Sequence, residues 1–246
     1  MSGGDWTVGF HAVESALRSG RPIETVWLQE GRRDGRMRAL ERLARSAGAS
    51  IRRVSARELA EIAGGTPHNG CAARGAPVAW APLEACIKPE GEAARLVLLD
   101  GVTDPHNLGA VVRSAAAFAV DGVIVAGPSV PPLGGAAAKA AAGHLERVPL
   151  VRATVAGDVL ARLQGEGYWT LGAEAGGQDV AEIDPTHRWV LCLGAEAKGL
   201  RAKTRSRIDE RVSIPMDPAV ESLNLSVAAG VLMYGLVRFG GRPKKA

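Results

Sequence analysis

The chain has 246 residues, 46% of them hydrophobic, with 30 Lys and Arg against 26 Asp and Glu and a formal charge of +4. That length holds one large domain or two small ones, and the apolar fraction suffices for a buried core. No apolar run reaches the roughly 18 residues of a membrane span. The start, MSGGDWTVGFHAVESAL, has no basic region ahead of an apolar core, so it does not read as a secretory signal, and the cytoplasm is the expected compartment. Cys71, Cys86 and Cys192 are widely spaced, with no CxxC or Cys/His pair suited to zinc, so no metal is expected. The charge is uneven. Residues 1–78 carry 12 Arg, no Lys and 8 acids, a net of +4 in a third of the chain. Arginine suits bidentate contact with phosphate and stacking on bases.

Taken in order, the pattern over 7–19 is a short strand running into an amphipathic helix on which Val13, Ala16 and Leu17 share a face. A strand is expected over 25–28 and a helix over 35–47, with Met37, Leu40, Leu43 and Ala44 as its apolar stripe and Gly48 as its stop. A strand at 50–54 leads to Ser55, which with Glu58 fits a capping box for a helix over 56–62. Residues 64–70 read as a turn and 71–73 as a last strand. This is an alternating α/β domain, drawn at 1–78. Residues 79–94 read as a linker with at most one helical turn, punctuated by Pro82 and Pro89.

A second domain is drawn at 95–246. It opens with LVLLDGVTDPHNLGAVVRSAAAFAVDGVIVA, residues 96–126, which reads as strand, polar loop, helix and strand, a βαβ unit. Asp100, Asp104, His106 and Asn107 then lie just past a strand's C-terminal end, where α/β sheets bind ligands. Taken singly, Asn107 fits a helix N-cap and Arg113 a surface arginine; together in one strand-end unit they suggest a site. No GxGxxG follows the strand, so a nicotinamide-dependent dehydrogenase is poorly supported. Further helices are expected over 136–143 and 156–166, and strands over 148–151, 168–173, 188–193 and 212–214. A last helix over 223–239 is apolar nearly all round, so it should be buried on several sides, by its own domain or by a second subunit. The tail RFGGRPKKA is basic. Three polar loops, at 100–109, 194–204 and 216–224, each follow an apolar strand. In a parallel sheet they would share one edge.

These loops, in this order and spacing, resemble the three motifs of the SpoU/TrmH family of RNA ribose 2′-O-methyltransferases: LDGVTDPHNLGAVVRSAAAFAVDGVIV at 99–125, LGAEAKGL at 193–200 and SIPMDPAVESLNLSVAAGVLMY at 213–234. VGFHAVESAL and HNGCAARG in the first third are similar to the small substrate-binding domain of the same family. The resemblance implies a C-terminal α/β domain of SPOUT type with a mostly parallel sheet and a deep trefoil knot, preceded by a small α/β RNA-binding domain resembling a ribosomal protein. It implies methyl transfer from S-adenosylmethionine to a guanosine ribose in large-subunit (23S) rRNA, by a homodimer joined through the knotted domain, with no membrane and no metal. By position, Asn107, Arg113, Glu196, Ser222 and Asn224 would be catalytic, and Gly194, Ile214, Met216 and Leu223 would hold the cofactor. Arg113 would bind a phosphate or the developing alkoxide, since a guanidinium is too weak an acid to serve as a simple base. Glu196 would orient Arg113 or a loop amide, and Ser222 and Asn224 would fix the loop and the ribose. The middle segment departs from the family pattern: Ala140 and Ala141 follow Lys139 where a Ser is common, and His144 stands where a small residue is usual. A tRNA ribose methyltransferase and a non-catalytic RNA-binding protein are the rival readings.

Overall fold

A computed structural model describes residues 5–239 except 66, 186 and 197. The basic tail expected beyond the last helix falls outside those residues. Among the described residues the first part of the chain runs β1 (Asp5–Val8), α1 (Phe10–Arg18), β2 (Ile23–Gln29), α2 (Gly35–Ser46), β3 (Ser50–Val54), α3 (Ala56–Ala63) and β4 (Cys71–Gly75). Next come β5 (Ala94–Asp100), α4 (Pro105–Ala117), β6 (Gly122–Ala126), α5 (Ala136–Ala141), β7 (Leu150–Ala153) and α6 (Ala156–Gly165). The last part runs β8 (Trp169–Asp179), β9 (Arg188–Gly194), α7 (Ala202–Arg205), β10 (Glu210–Ser213) and α8 (Leu225–Phe239). Contacts divide the chain into two compact units, Met1–Ala79 with Pro132–Arg147, and Trp80–Pro131 with Val148–Ala246.

The first unit is built on a four-stranded sheet in the order β1-β4-β2-β3, parallel only between β2 and β3. Its core joins Val13, Ala16 and Leu17 of α1, Val26 and Leu28 of β2, and Met37, Leu40 and Ala44 of α2, with Leu43 partly buried against it; the helix residues are those of the expected apolar faces. Asp34 caps α2 by accepting from the Met37 amide at 3.0 Å. The capping box of α3 forms as expected, with Ser55 and Glu58 satisfying each other's backbone N–H groups. The segment Pro132–Arg147, assigned from the sequence to the second domain, packs with this unit. Gly143 has no room for a Cβ against the His11 backbone, and Glu146 faces Arg21 across 3.6 Å, both side chains nearly buried.

The second unit holds a six-stranded sheet in the order β10-β8-β9-β5-β6-β7, parallel at every pair. Strands β5, β6 and β9 are almost continuously apolar and buried, as central strands must be when helices cover both faces. Register places Asp100 at the end of β5 beside Gly194 at the end of β9 and Ala126 at the end of β6. The loops that follow β5 and β9 therefore leave the sheet side by side. The 79–94 stretch is no free linker. The Ala81 amide donates to Leu150 O at 2.7 Å, residues 83–85 form a 3₁₀ turn, and Cys86 is fully buried where Gly122 leaves room for its sulfur. Proline interrupts the hydrogen-bond ladder there without preventing packing. On α8, Leu225, Ala229, Leu232, Met233 and Leu236 are buried, while Val227, Val231 and Tyr234 are 50%, 40% and 51% exposed. Among the described residues no helix is long and apolar enough to cross a membrane.

All three cysteines are free and buried. Burial pushes the Cys71 thiol up to about 12 and the Cys86 thiol up to about 11, and it raises Cys192 as well. The native protein should therefore leave all three thiols unreacted with a disulfide reagent at pH 8, and release all three once guanidinium unfolds it. A thiol that reacts at once in the native state would contradict this packing.

Candidate active site

The site begins at the ends of β5 and β9. Asp100 closes an apolar strand and is fully buried. A buried carboxylate needs partners for its charge, and the loop after β9 supplies them. Arg201 donates from its backbone amide to Oδ2 at 2.9 Å and from Nε to Oδ1 at 2.6 Å, and Thr204 Oγ1 donates to Oδ2 at 2.7 Å. Arg201 Nη2 also donates to Ala126 O at 2.9 Å, so one guanidinium ties together the ends of β5 and β6. Thr204 lies in α7, a short helix not anticipated from the sequence, which this network holds down.

Helix α4 starts at Pro105 with Asp104 as its N-cap, accepting from the His106 amide at 2.9 Å. Asn107 is therefore not the cap, and its buried side chain is free for another task. Its Nδ2 donates to Glu196 Oε1 at 3.0 Å, and its Oδ1 accepts from Asn224 Nδ2 at 3.0 Å. Asn224 Nδ2 also donates to Glu196 Oε1 at 2.9 Å, and the Leu225 amide reaches the same oxygen at 3.3 Å. Asn224 meanwhile caps α8, its Oδ1 accepting from the Ser226 amide at 2.9 Å. One carboxylate oxygen thus gathers donors from two other loops, a charge-assisted arrangement stronger than neutral pairs. Glu196 thus accepts from one backbone amide and two carboxamides, and has no hydrogen bond with Arg113 of its own chain.

Arg113 stands apart. It is exposed on α4 and makes no hydrogen bond or ion pair with any described residue. The His106 side chain is exposed too, and makes no hydrogen bond with a described residue.

A cavity of about 680 Å³ opens beside the Glu196 cluster, within the range of ligand sites. Gly194, Ile214, Met216 and Leu223 all line it, as do Glu196 and Ser222. The turn after β9 is tight enough that a Cβ on Gly194 would run into the Gly199 backbone. Leu225, Ala228 and Leu232 of α8 add an apolar wall, and Glu174 and Arg205 add a polar one. Sequence reasoning missed Arg201, Thr204, Glu174 and Arg205. The one available signal was Asp100, an acid ending a buried strand and so bound to find a cation. Among the described residues no cluster of His, Cys, Asp or Glu is placed to hold a metal ion.

Residues 94–234 match the SpoU rRNA Methylase family, and residues 6–80 match the RNA 2′-O ribose methyltransferase substrate-binding family. The chain belongs to the SpoU rRNA methylase family. Relatives within it include the 23S rRNA (guanosine-2′-O-)-methyltransferase RlmB of Pseudomonas aeruginosa, 38% identical over 97% of this chain and 98% of that one. The protein of the same name from Xanthomonas axonopodis pv. citri is 37% identical over 95% and 96%. A putative TrmH family tRNA/rRNA methyltransferase of Staphylococcus haemolyticus is 35% identical over 94% of each chain. Among solved structures, the SpoU methyltransferase AviRb of Streptomyces viridochromogenes, crystallised with the cofactor AdoMet, superposes with a TM-score of 0.78 at 26% identity, covering 96% of this chain and 90% of that one. An rRNA methyltransferase of Sinorhizobium meliloti shares the fold with a TM-score of 0.80 at 24% identity, over 96% of this chain and 87% of that one.

The Asp100 network carries a stability prediction. Asp100→Asn keeps the shape but removes the charge that Arg201 and Thr204 address, and should lower the unfolding free energy by about 1.5–3 kcal/mol. Urea unfolding would measure it; an unchanged midpoint would mean the pair contributes nothing.

Proposed function

We propose that this protein transfers a methyl group from S-adenosylmethionine to the ribose 2′-hydroxyl of a guanosine in 23S rRNA, acting in the cytoplasm as a homodimer. The observation that carries the reading is the joining of Asn107, Glu196 and Asn224, one from each of three loops, beside a cavity lined by Gly194, Ile214, Met216 and Leu223. The cavity's size and its apolar wall suit an adenosyl group, with backbone at Gly194 and Ile214 available for the base. The named relatives supply the RNA and the nucleotide, and the basic first domain suits an RNA partner. In this reading the family's knot is formed where residues 213–224 pass the turn at 194–200.

Bound in the cavity, S-adenosylmethionine would supply an electrophilic methyl and a neutral leaving group. The chain's own part is placement and charge. Positioning alone can be worth about 7–11 kcal/mol. The Glu196 cluster fixes the loop that carries Ser222 and Asn224, so that the acceptor ribose meets a rigid rim. Negative charge grows on the ribose oxygen as it attacks, and a guanidinium stabilises it without having to lose a proton. That is the role given to Arg113.

Arg113 lies outside the cavity of its own chain, which a dimer resolves. Helices α4 and α8 lie alongside each other, with Gly230 close to Ser114 and Phe118 against Tyr234 at 6.0 Å between ring centroids. The exposed stripe Val227, Val231 and Tyr234 is an apolar face for a second copy. Pairing there would let Arg113 of one protomer serve the cavity of the other.

Labelled methyl from S-adenosylmethionine should appear on one guanosine of unmodified 23S rRNA. Label on tRNA instead would keep the chemistry and change the substrate, whereas no cofactor binding would leave a non-catalytic RNA-binding protein. Arg113→Lys loses the planar fork and should lower the single-turnover rate at least a hundredfold with cofactor affinity unchanged; near-normal turnover would refute the role. Mixing inactive Arg113→Ala and Asn224→Ala chains should restore up to about a quarter of wild-type activity through mixed dimers that keep one intact site. No recovery, with mixed dimers shown by mass, would place Arg113 in its own chain's site.

A further inference from the structure

Strand β8 carries a feature that the reading above leaves unused. Arg211 of β10 pairs with Gly172 of β8, but the next residue, Val212, pairs with Gln178. Residues 173–177 are therefore extra on β8 and bulge out of the ladder. Bulges re-aim side chains and are common beside active sites. This one is pinned at its far end. Gly176 has a left-handed backbone, Gly177 lies so close to the Arg211 backbone that a Cβ there would clash, and Ser213 Oγ donates to Gly177 O at 2.6 Å. Gly172 pairs with Cys192 of β9, so the bulge leaves the sheet near the level of Gly194. Ala173, Glu174, Ala175 and Gly176 accordingly line the 680 Å³ cavity.

Glu174 is the group this arrangement delivers. Its side chain is only 14% exposed, and Arg205 donates from Nε to Oε1 at 2.6 Å. Oε2 has no hydrogen bond to a described residue. Arg205 is itself set by α7, whose neighbouring Thr204 is buried on Asp100. The other acids on the cavity wall are less suited to a ligand. Glu196 Oε1 already accepts three donors, and Asp217 and Glu221 are exposed.

We propose that Glu174 recognises the cofactor's ribose, its carboxylate accepting from the 2′- and 3′-hydroxyls, with Arg205 as the positioning residue. The inference rests on the reading of this cavity as the S-adenosylmethionine site. A carboxylate facing a ribose diol is a recurrent device in nucleotide sites. The Arg205 pairing favours neutral hydroxyls over the cofactor's ammonium, because Glu174 is already matched by a cation.

Calorimetric binding of two probes tests it: S-adenosylhomocysteine, and 5′-methylthioadenosine, which keeps the ribose and lacks the amino-acid end. Glu174→Ala should weaken both by the same factor, about ten- to hundredfold. Glu174→Gln, which preserves volume should the first variant fail to fold, should weaken both several-fold. Arg205→Met should weaken both by a smaller common factor. Equal affinity in wild type and Glu174 variants overturns the proposal. Loss for S-adenosylhomocysteine alone also overturns it, since Glu174 would then face the ammonium. Wild-type protein that binds neither probe would instead sink the reading of the cavity as the cofactor site.

Discussion

The buried carboxylate of Asp100 is the constraint on which the site depends. A charge at the closed end of a central parallel strand is tolerable only with several donors around it, and here Arg201 and Thr204 provide them. That requirement fixes where the chain goes after β9. It brings Arg201 and α7 down over the ends of β5 and β6. Everything on the functional rim is built outward from that fastening: Glu196 on the turn itself, Arg205 one residue beyond Thr204, and through Arg205 the bulge of β8.

Glu196 then does for the outer loops what Asp100 does for the inner one. Its Oε1 collects Asn107 from the start of α4, and Asn224 and the Leu225 amide from the start of α8. The two helices begin at the same carboxylate and lie alongside each other from there. Asn224 is double-duty, donating to Glu196 and capping α8 through its carbonyl oxygen. A substitution at either residue would therefore disturb a helix start as well as a hydrogen bond, so cofactor affinity and turnover have to be measured separately for each variant.

The cavity lining combines two physical characters. Ile214, Leu223, Leu225 and Leu232 offer apolar surface, against which the burial of a flat apolar group would be driven by released water. Glu174, Arg205 and Glu196 offer fixed charges that cost little to reorganise, because each is held by a partner on a different element. A pocket with a mostly apolar lining and a few placed polar groups gives affinity from one part and orientation from the other.

The sequence by itself determined the elements and the three loops. Continuous apolar runs at 96–99 and 188–193 specify buried parallel strands, the Ser55 and Glu58 pair specifies a helix start, and a polar loop after each strand specifies a shared edge, because all three are local rules of period and capping. It also carried Asn107, Glu196 and Asn224 through motif resemblance. Only the tertiary structure decided which partners they meet. Whether Asn107 caps a helix or binds Glu196 depends on Asp104 taking the cap first. Whether Arg113 meets its own cavity depends on which face of α4 packs. The register slip that turns Glu174 inward, and the burial of Cys86 in a proline-bearing stretch that reads as a linker, arise from pairings between residues distant in sequence, and no local pattern encodes them.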